Sequence, residues 1–177
     1  MLDQDKGLVE FLGKPMVSYA LNALSSVAET VMISANRNIG EYLKFGYRVV
    51  PDAPPGFQGP LAGILTGMRY ASTQYLLVLP CDVPLLEGIH LAHIIATFSE
   101  READVCVPHD GERLHPAIMM VRTELAEDLT SYLESGERKL QSWLKRHRWA
   151  VADFSGLRDK LHNVNTVDEL NTASSVR

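Results

Sequence analysis

Short apolar runs and amphipathic stretches alternate along the first half of the chain. The runs TVMI, YRVV and YLLVL are continuous, which is typical of short strands that are buried on both faces. Stretches with helical spacing stand between them, so the predicted order is a helix from Pro15, strand 30–33, helix 41–45, strand 47–50, helix 61–71, strand 75–79 and helix 88–100. Repeated units of this kind predict an α/β fold, a mostly parallel sheet with helices on both faces.

The pattern changes in the second half of the chain. Two short strands, 104–108 and 115–121, flank the turn sequence HDGERLH, and helices near 123–134 and 139–147 precede a strand over 149–154. A last helix is predicted to start near Thr166. The second half therefore adds antiparallel strands to the parallel sheet, and we expect residues 1–177 to form one domain.

Composition and charge exclude several classes of protein. The 177 residues are 46% hydrophobic and 22% charged, with a net charge of −5, so no general basic surface indicates a nucleic acid or an anionic membrane as partner. No apolar run approaches the roughly 20 residues of a membrane span, and no signal peptide is recognisable. Cys81 and Cys106 lack metal-ligand or disulfide spacing. We expect a cytoplasmic protein.

The stretch YLLVLPCDVP places an aspartate directly after the third predicted strand. Pro80 and Pro84 flank Asp82, and each proline fixes its own φ and restricts the residue before it. A rigid carboxylate at the carboxyl end of a parallel strand lies where open α/β sheets bind ligands. Because Mg²⁺ takes one or two carboxylates together with substrate phosphates, Asp82 is the best metal-ligand candidate in the chain.

Other polar side chains follow the neighbouring strands. They are Ser34, Asn36 and Arg37 after strand 30–33, and Asp52 after strand 47–50. Any one of them alone is more often a helix cap or a turn residue. Three consecutive strand–helix units that deliver polar groups to one edge of a sheet favour a binding site. Lys6, in the short glycine-containing loop of DKG, adds a compact positive charge that could meet a phosphate.

Seven short motifs occur in one order along nearly the whole chain, namely DKGLVEFLGKPM, ISANR, VVPD, GPLAGI, LPCDVP, DGERLHPA and NVNTVDEL. This order resembles the bacterial molybdenum cofactor guanylyltransferases, nucleotidyltransferases with a three-layer αβα Rossmann-like sheet. The resemblance implies that GMP is transferred from GTP to the phosphate of Mo-molybdopterin, with Mg²⁺ and release of pyrophosphate. It also implies a nucleotide-binding half over about 1–100 and a cofactor-binding half over about 101–177.

The resemblance also implies roles for individual residues. Lys6 would contact the GTP phosphates, and Asp82 would hold Mg²⁺ against the triphosphate, so these two are the predicted catalytic residues. Ser34 and Asn36 would line the guanine and ribose side, and Asp52 would belong to the nucleotide pocket. The residues expected toward the pterin are Arg138, Lys139, Asn163, Asn165 and Thr166. A molybdoenzyme or its insertion chaperone is the implied protein partner.

Three alternatives stay open at this point. A cytidylyltransferase acting on the same cofactor and a sugar-phosphate nucleotidyltransferase share the implied fold, although NVNTVDEL favours guanylyl transfer. A binding protein that holds the nucleotide or cofactor without turnover is also possible, since the family's first strand and glycine-rich loop should precede Lys6. We expect the natural protein to begin further upstream, and a chain extended upstream to bind GTP far better. His115 and Cys81 are more simply structural residues.

Overall fold

The structure, a computed structural model, describes residues 5–51 and 59–164. Its strands are β1 (Glu10–Phe11), β2 (Lys14–Pro15), β3 (Met32–Ser34), β4 (Arg48–Val50), β5 (Tyr75–Val78), β6 (Val105–His109), β7 (Met119–Arg122) and β8 (Trp149–Asp153). Its α-helices are α1 (Met16–Ser25), α2 (Ile39–Leu43), α3 (Pro60–Tyr70), α4 (Gly88–Glu100), α5 (Ala126–Glu134) and α6 (Leu140–Leu144). Short 3₁₀ helices cover Lys6–Leu8, Thr123–Leu125 and Ser155–Leu161.

The main sheet has the order β5-β7-β6-β8. β7 runs antiparallel to both β5 and β6, whereas β8 runs parallel to β6. Strands β5, β6 and β8 therefore point the same way, and their carboxyl ends share one edge, which we call the carboxyl edge. The predicted α/β class with an antiparallel addition in the second half is confirmed.

A second, parallel pair of strands, β3 and β4, lies beside this sheet. Two cavities, of about 240 and 510 Å³, are lined by residues of both β3 and β5. Residues of α1 and α3 also line the smaller cavity. Within the described residues, β3 and β5 each pair with a strand on one side only.

The core lies on both faces of the main sheet, as the αβα prediction requires. Along β6, Val105 and Val107 pack with the α3, α5 and α6 side chains, and Cys106 between them packs with those of α4. This alternation follows from the two-residue period of a strand. Each fully buried Leu- or Ile-sized side chain contributes roughly 1.5–3 kcal/mol to stability. Two helix layers thus hold the carboxyl edge of the sheet in a fixed geometry.

Two local features differ from the sequence-based expectation. The strand predicted over 115–121 begins only at Met119, because residues 115–118 form a turn in which the Ile118 N–H donates to the His115 carbonyl at 3.0 Å. The hairpin of β1 and β2 was not predicted; Leu12 and Gly13 close it with positive φ angles of 49° and 77°. The helix expected from Thr166 lies outside the described residues. Among the helices of 5–51 and 59–164, none is both long and apolar enough to cross a bilayer.

Candidate active site

Asp82 lies just beyond the carboxyl end of β5, in the segment that contains the two prolines. Its backbone carbonyl accepts a hydrogen bond from the Val164 N–H at 2.8 Å, and its side chain is only 15% exposed. The backbone of Asp82 is therefore held from two directions, by the prolines in its own segment and by the chain near residue 164. A carboxylate placed in this way has little freedom to move when a ligand binds.

Two other residues predicted from the sequence contact this carboxylate. The Lys6 Nζ lies 3.5 Å from Asp82 Oδ2, and the Asn163 Nδ2 donates to the same oxygen at 3.3 Å. They come from segments that are 76 and 81 residues away from Asp82 in sequence. The fold thus brings the beginning of the chain, the end of β5 and the segment after the last 3₁₀ helix to a single point.

The second oxygen of the carboxylate has a different environment. Asp82 Oδ1 is buried, and it has no hydrogen-bond partner within the described residues. A buried acceptor without a partner costs about 1–3 kcal/mol, so such an atom calls for a functional explanation. A bound cation would satisfy it, and an ionised carboxylate oxygen is the ligand that Mg²⁺ prefers.

The described part of the site offers Asp82 as a metal ligand without a larger ligand cluster around it. In residues 5–51 and 59–164, no three His, Cys, Asp or Glu side chains cluster so that they could hold a metal among them. A structural zinc or calcium cage would need such a cluster. Mg²⁺ fits the donors that are present, because it commonly takes one or two protein carboxylates and fills its remaining positions with phosphate oxygens and water.

The Lys6 side chain is 53% exposed, so its ion pair with Asp82 is screened by solvent. Exposed ion pairs contribute about 0–1 kcal/mol to stability, which is too little to explain the placement of a lysine at the carboxyl edge. The ammonium group remains accessible to a ligand that approaches Asp82. The pair therefore offers a positive charge and a carboxylate, side by side, to a substrate.

The loop that carries Lys6 is held by a residue that the sequence analysis did not single out. Asp5 caps the 3₁₀ helix Lys6–Leu8, and its Oδ1 accepts hydrogen bonds from the Gly7 N–H at 3.3 Å and from the Tyr42 hydroxyl at 2.5 Å. The only sequence signal for this role was the position of Asp5 next to Lys6. The contact with Tyr42 spans 37 residues and leaves no local pattern.

Ser34 ends β3 and Asn36 follows that strand, and both residues are exposed. Ser34 lines the 240 Å³ cavity together with Tyr42, Pro80 and Cys81, so the carboxyl end of β3 lies close to the segment that follows β5. Burial raises the pKa of the Cys81 thiol to about 11, which agrees with an unreactive, partly buried residue. Asp52, Asn165 and Thr166 lie outside the described residues.

Arg138 and Lys139 lie at the connection between α5 and α6. The Arg138 guanidinium donates to the carbonyls of Leu133 and Glu137, both at 2.6 Å, and the Lys139 carbonyl accepts from the Tyr132 hydroxyl at 2.9 Å. Cations near a helix C-terminus commonly bond its last carbonyls. These contacts place the two residues with α5 and α6, and none of them is with Lys6, Asp82 or Asn163.

His115 forms a buried pair inside the turn HDGERLH. Its Nε2 lies 2.7 Å from Asp110 Oδ2, while Asp110 Oδ1 accepts from the backbone N–H groups of Glu112 and Arg113. The hydrogen bond from His115, with these two N–H donors, holds the pKa of Asp110 well below its usual range. The contacts are those of a histidine that shapes its own turn.

Comparison with known proteins identifies relatives over nearly the whole chain. A family model described as a MobA-like NTP transferase domain matches residues 1–151. The chain is 41% identical over 165 residues to the molybdenum cofactor guanylyltransferase of Shewanella sp. strain MR-4, covering 93% of this chain and 84% of that protein. It is 39% identical over 165 residues to the protein of the same name from Shewanella pealeana, covering 93% and 82%.

Solved structures of other proteins share the fold of this chain. Molybdopterin-guanine dinucleotide biosynthesis protein A of Archaeoglobus fulgidus superposes with a TM-score of 0.80 at 21% identity, covering 99% of this chain and 91% of that one. The 2-C-methyl-D-erythritol 4-phosphate cytidylyltransferase of Thermus thermophilus gives a TM-score of 0.74 at 14% identity, covering 97% and 93%. At these identities the likeness concerns the fold, which is the Rossmann-like fold expected from the sequence.

Proposed function

The chain belongs to the family of MobA-like NTP transferase domains and is a nucleotidyltransferase, and we propose that it transfers the GMP unit of GTP to Mo-molybdopterin. The product would be molybdopterin guanine dinucleotide, with pyrophosphate as the second product. The names of the Shewanella relatives support this choice of reaction. The single observation that carries it is the buried Oδ1 of Asp82, which has no hydrogen-bond partner in residues 5–51 and 59–164, beside the exposed amine of Lys6.

The proposed reaction needs positioning and charge more than it needs acid–base chemistry. A phosphate oxygen of molybdopterin forms a new bond to the α-phosphorus of GTP, and the bond from that phosphorus to the pyrophosphate leaving group breaks. The attacking phosphate is already ionised near neutral pH, so no general base is required. Placement of the two phosphates and stabilisation of the negative charge supply most of the acceleration.

Lys6 and Asp82 have different proposed roles at the triphosphate. The Lys6 ammonium would lie against phosphate oxygens and offset the charge that builds up on the leaving group. Asp82 would hold Mg²⁺ through Oδ1, while Oδ2 stays hydrogen-bonded to Asn163. When bound, Mg²⁺ supplies additional positive charge at the phosphate oxygens.

The remaining predicted residues extend the site in two directions. Ser34, Asn36 and Asp52 would contact the nucleotide, since Ser34 shares a cavity with Pro80 and Cys81. The residues proposed on the pterin side are Asn163, Asn165, Thr166, Arg138 and Lys139. The hydrogen bond from Asn163 to Asp82 supports this arrangement, because it joins the proposed pterin side of the site to the carboxylate that is proposed to hold Mg²⁺. We further propose that the enzyme acts in the cytoplasm and passes its product to a molybdoenzyme or an insertion chaperone.

A cytidylyltransferase is the alternative that a structural neighbour favours, because the Thermus thermophilus enzyme shares the fold. Pyrophosphate release measured with GTP and with CTP, each with Mg²⁺ and molybdopterin, separates the two reactions. We expect turnover with GTP and a loss of about 100-fold or more for Asp82→Asn. Asp153→Asn is the matched control, since Asp153 ends β8 at the same edge and should leave turnover unchanged. Turnover with CTP alone would establish the cytidylyltransferase, and cofactor binding without pyrophosphate release would establish the binding protein.

A further inference from the structure

A network of hydrogen bonds connects the Lys6 loop to the segment that follows β3. Asp5 lies at its centre, with a side chain that is 15% exposed. Its Oδ1 accepts from the Gly7 N–H and the Tyr42 hydroxyl, and its Oδ2 accepts from the Asn38 Nδ2 at 3.2 Å and lies 3.8 Å from the Arg37 Nε. The Asp5 carboxylate thus joins a segment that precedes β3 in the sequence to a segment that follows it.

Tyr42 provides the rigid end of this network. Its side chain is 5% exposed and belongs to the apolar cluster of Val17, Leu21 and Ile33. Burial of the phenol, together with the hydrogen bond to Asp5, raises its pKa, so the hydroxyl stays protonated and able to donate over the whole working range of pH. The ring is fixed by packing, and its hydroxyl therefore gives Asp5 a fixed point of attachment.

Gly7 explains how Tyr42 can come so close to the loop. A Cβ atom built on Gly7 would collide with the Tyr42 hydroxyl. Only a residue without a side chain leaves room for the hydroxyl beside the Lys6 loop. Lys6 therefore stands between two restrained neighbours, Asp5 with its network and Gly7 against the Tyr42 ring.

We propose that Asp5 and Tyr42 are positioning residues that hold Lys6 beside Asp82 for the transfer reaction. They restrain the backbone on both sides of Lys6, which fixes the point from which its side chain extends toward Asp82. Because Asn38 belongs to the segment between β3 and α2, the same network attaches the Lys6 loop to the segment that contains Asn36. The inference rests on the proposed function for the catalytic part of its claim, and on the geometry alone for the restraint of the loop.

The restraint of the loop is tested in the free protein with trypsin. Trypsin cuts after Lys6, whereas Lys14 is protected because Pro15 follows it. Cleavage inside a folded protein requires local opening, so its rate reports how firmly the loop is held. We expect Tyr42→Phe to release the fragment 1–6 at least about 10-fold faster than the unaltered chain. Tyr47→Phe is the matched control, since Tyr47 borders the same cluster but its hydroxyl bonds to Ser25.

A second variant keeps this test decisive if Tyr42→Phe folds poorly. Asn38→Gly removes one donor to Asp5 at an exposed position whose φ of 53° suits glycine. It should also accelerate release of the fragment 1–6. Equal cleavage rates for the unaltered chain, Tyr42→Phe and Asn38→Gly would overturn the proposal.

The catalytic part is tested by combining Tyr42→Phe with Lys6→Ala in the assay of pyrophosphate release. A misplacement of about 1 Å can cost about 100-fold in rate, so we expect Tyr42→Phe alone to lower kcat by about 10-fold or more with a smaller change in KM. In the Lys6→Ala background Tyr42→Phe should cause no further loss of kcat, because the residue that Tyr42 positions is gone.

The same fold-loss of kcat in both backgrounds would assign Tyr42 a general structural role and overturn the positioning claim. Absence of pyrophosphate from the unaltered chain would contradict the proposed function, while the trypsin experiment would still decide the restraint of Lys6.

Discussion

A substitution at Asp82 can distinguish a role in folding stability from a role in ligand binding. The perturbation is Asp82→Asn, which keeps the shape of the side chain and removes its charge. The Asn amide oxygen can still accept from Asn163, so most of that hydrogen bond survives. We therefore expect the stability of the ligand-free protein to change little.

The magnitude follows from the contacts of the two oxygens. Loss of the half-exposed Lys6 pair costs about 0–1 kcal/mol. Against this, a neutral amide is less costly to bury than the carboxylate whose Oδ1 has no partner in the described residues. The two changes offset each other to within about 1 kcal/mol, which corresponds to a shift in Tm of at most about 4 °C for a chain of this size.

The ligand response should behave in the opposite way. GTP with Mg²⁺ at about 100 times its Kd stabilises the folded state by about 2.7 kcal/mol, which raises Tm by about 5–10 °C. Asp82→Asn should lose most of this increase, because it removes the oxygen that is proposed to hold the metal.

Scanning calorimetry with and without GTP and Mg²⁺ measures both quantities in one experiment. Asp104→Asn is the matched control, because Asp104 is similarly buried but its partners Arg122 and Arg148 are part of the protein. That variant should lower the ligand-free Tm and keep the ligand-induced increase. A fall of more than about 8 °C for ligand-free Asp82→Asn, with an unchanged ligand response, would refute the reasoning and make Asp82 a structural residue.

Two further predictions concern stability. Leu12 is 47% exposed with a φ of 49°, a backbone conformation that disfavours leucine, so Leu12→Gly should raise stability by about 1 kcal/mol in urea unfolding, and a loss would show that the Leu12 side chain matters to the hairpin. The hydrogen bond from Arg148 lowers the pKa of Asp104. The contribution of this pair to folding stability is therefore complete above the unfolded pKa of about 4, and it is lost as the pH falls through the lower pKa of the folded state. Urea unfolding from pH 6 to 2 should therefore show a flatter decline for Asp104→Asn, and parallel curves would contradict the assignment.

The elements with a strong local signal could be predicted from the sequence. The apolar run before Pro80 predicted β5, and the two prolines predicted a rigid Asp82, because both signals depend only on neighbouring residues. The alternating character of the first half likewise indicated helices on both faces of the sheet. The resemblance to the guanylyltransferases named Lys6 and Asp82 at the triphosphate and Asn163 on the pterin side, and in the structure Lys6 and Asn163 both contact Asp82.

Features that depend on distant contacts could not be predicted in this way. The hydrogen bond between Asp5 and Tyr42 needs the packed position of α2, and no local pattern in DKG or around Tyr42 specifies it. The strand expected from residue 115 was wrong at its start, because the Asp110–His115 pair and Pro116 favour a turn over extended backbone there. The roles proposed for Arg138 and Lys139 rest on resemblance, and their hydrogen bonds to the α5–α6 connection carry no sequence signal.

The transfer of the α-phosphorus of GTP to molybdopterin tests the central claim most directly. GTP labelled at the α-phosphorus would be incubated with the protein, Mg²⁺ and molybdopterin, and the products separated and identified by mass. The account predicts that the label enters a pterin dinucleotide with release of unlabelled pyrophosphate, and that Asp82→Asn abolishes this transfer. Label that stays in GTP or appears only as free GMP, with a folded protein that binds molybdopterin, would contradict it.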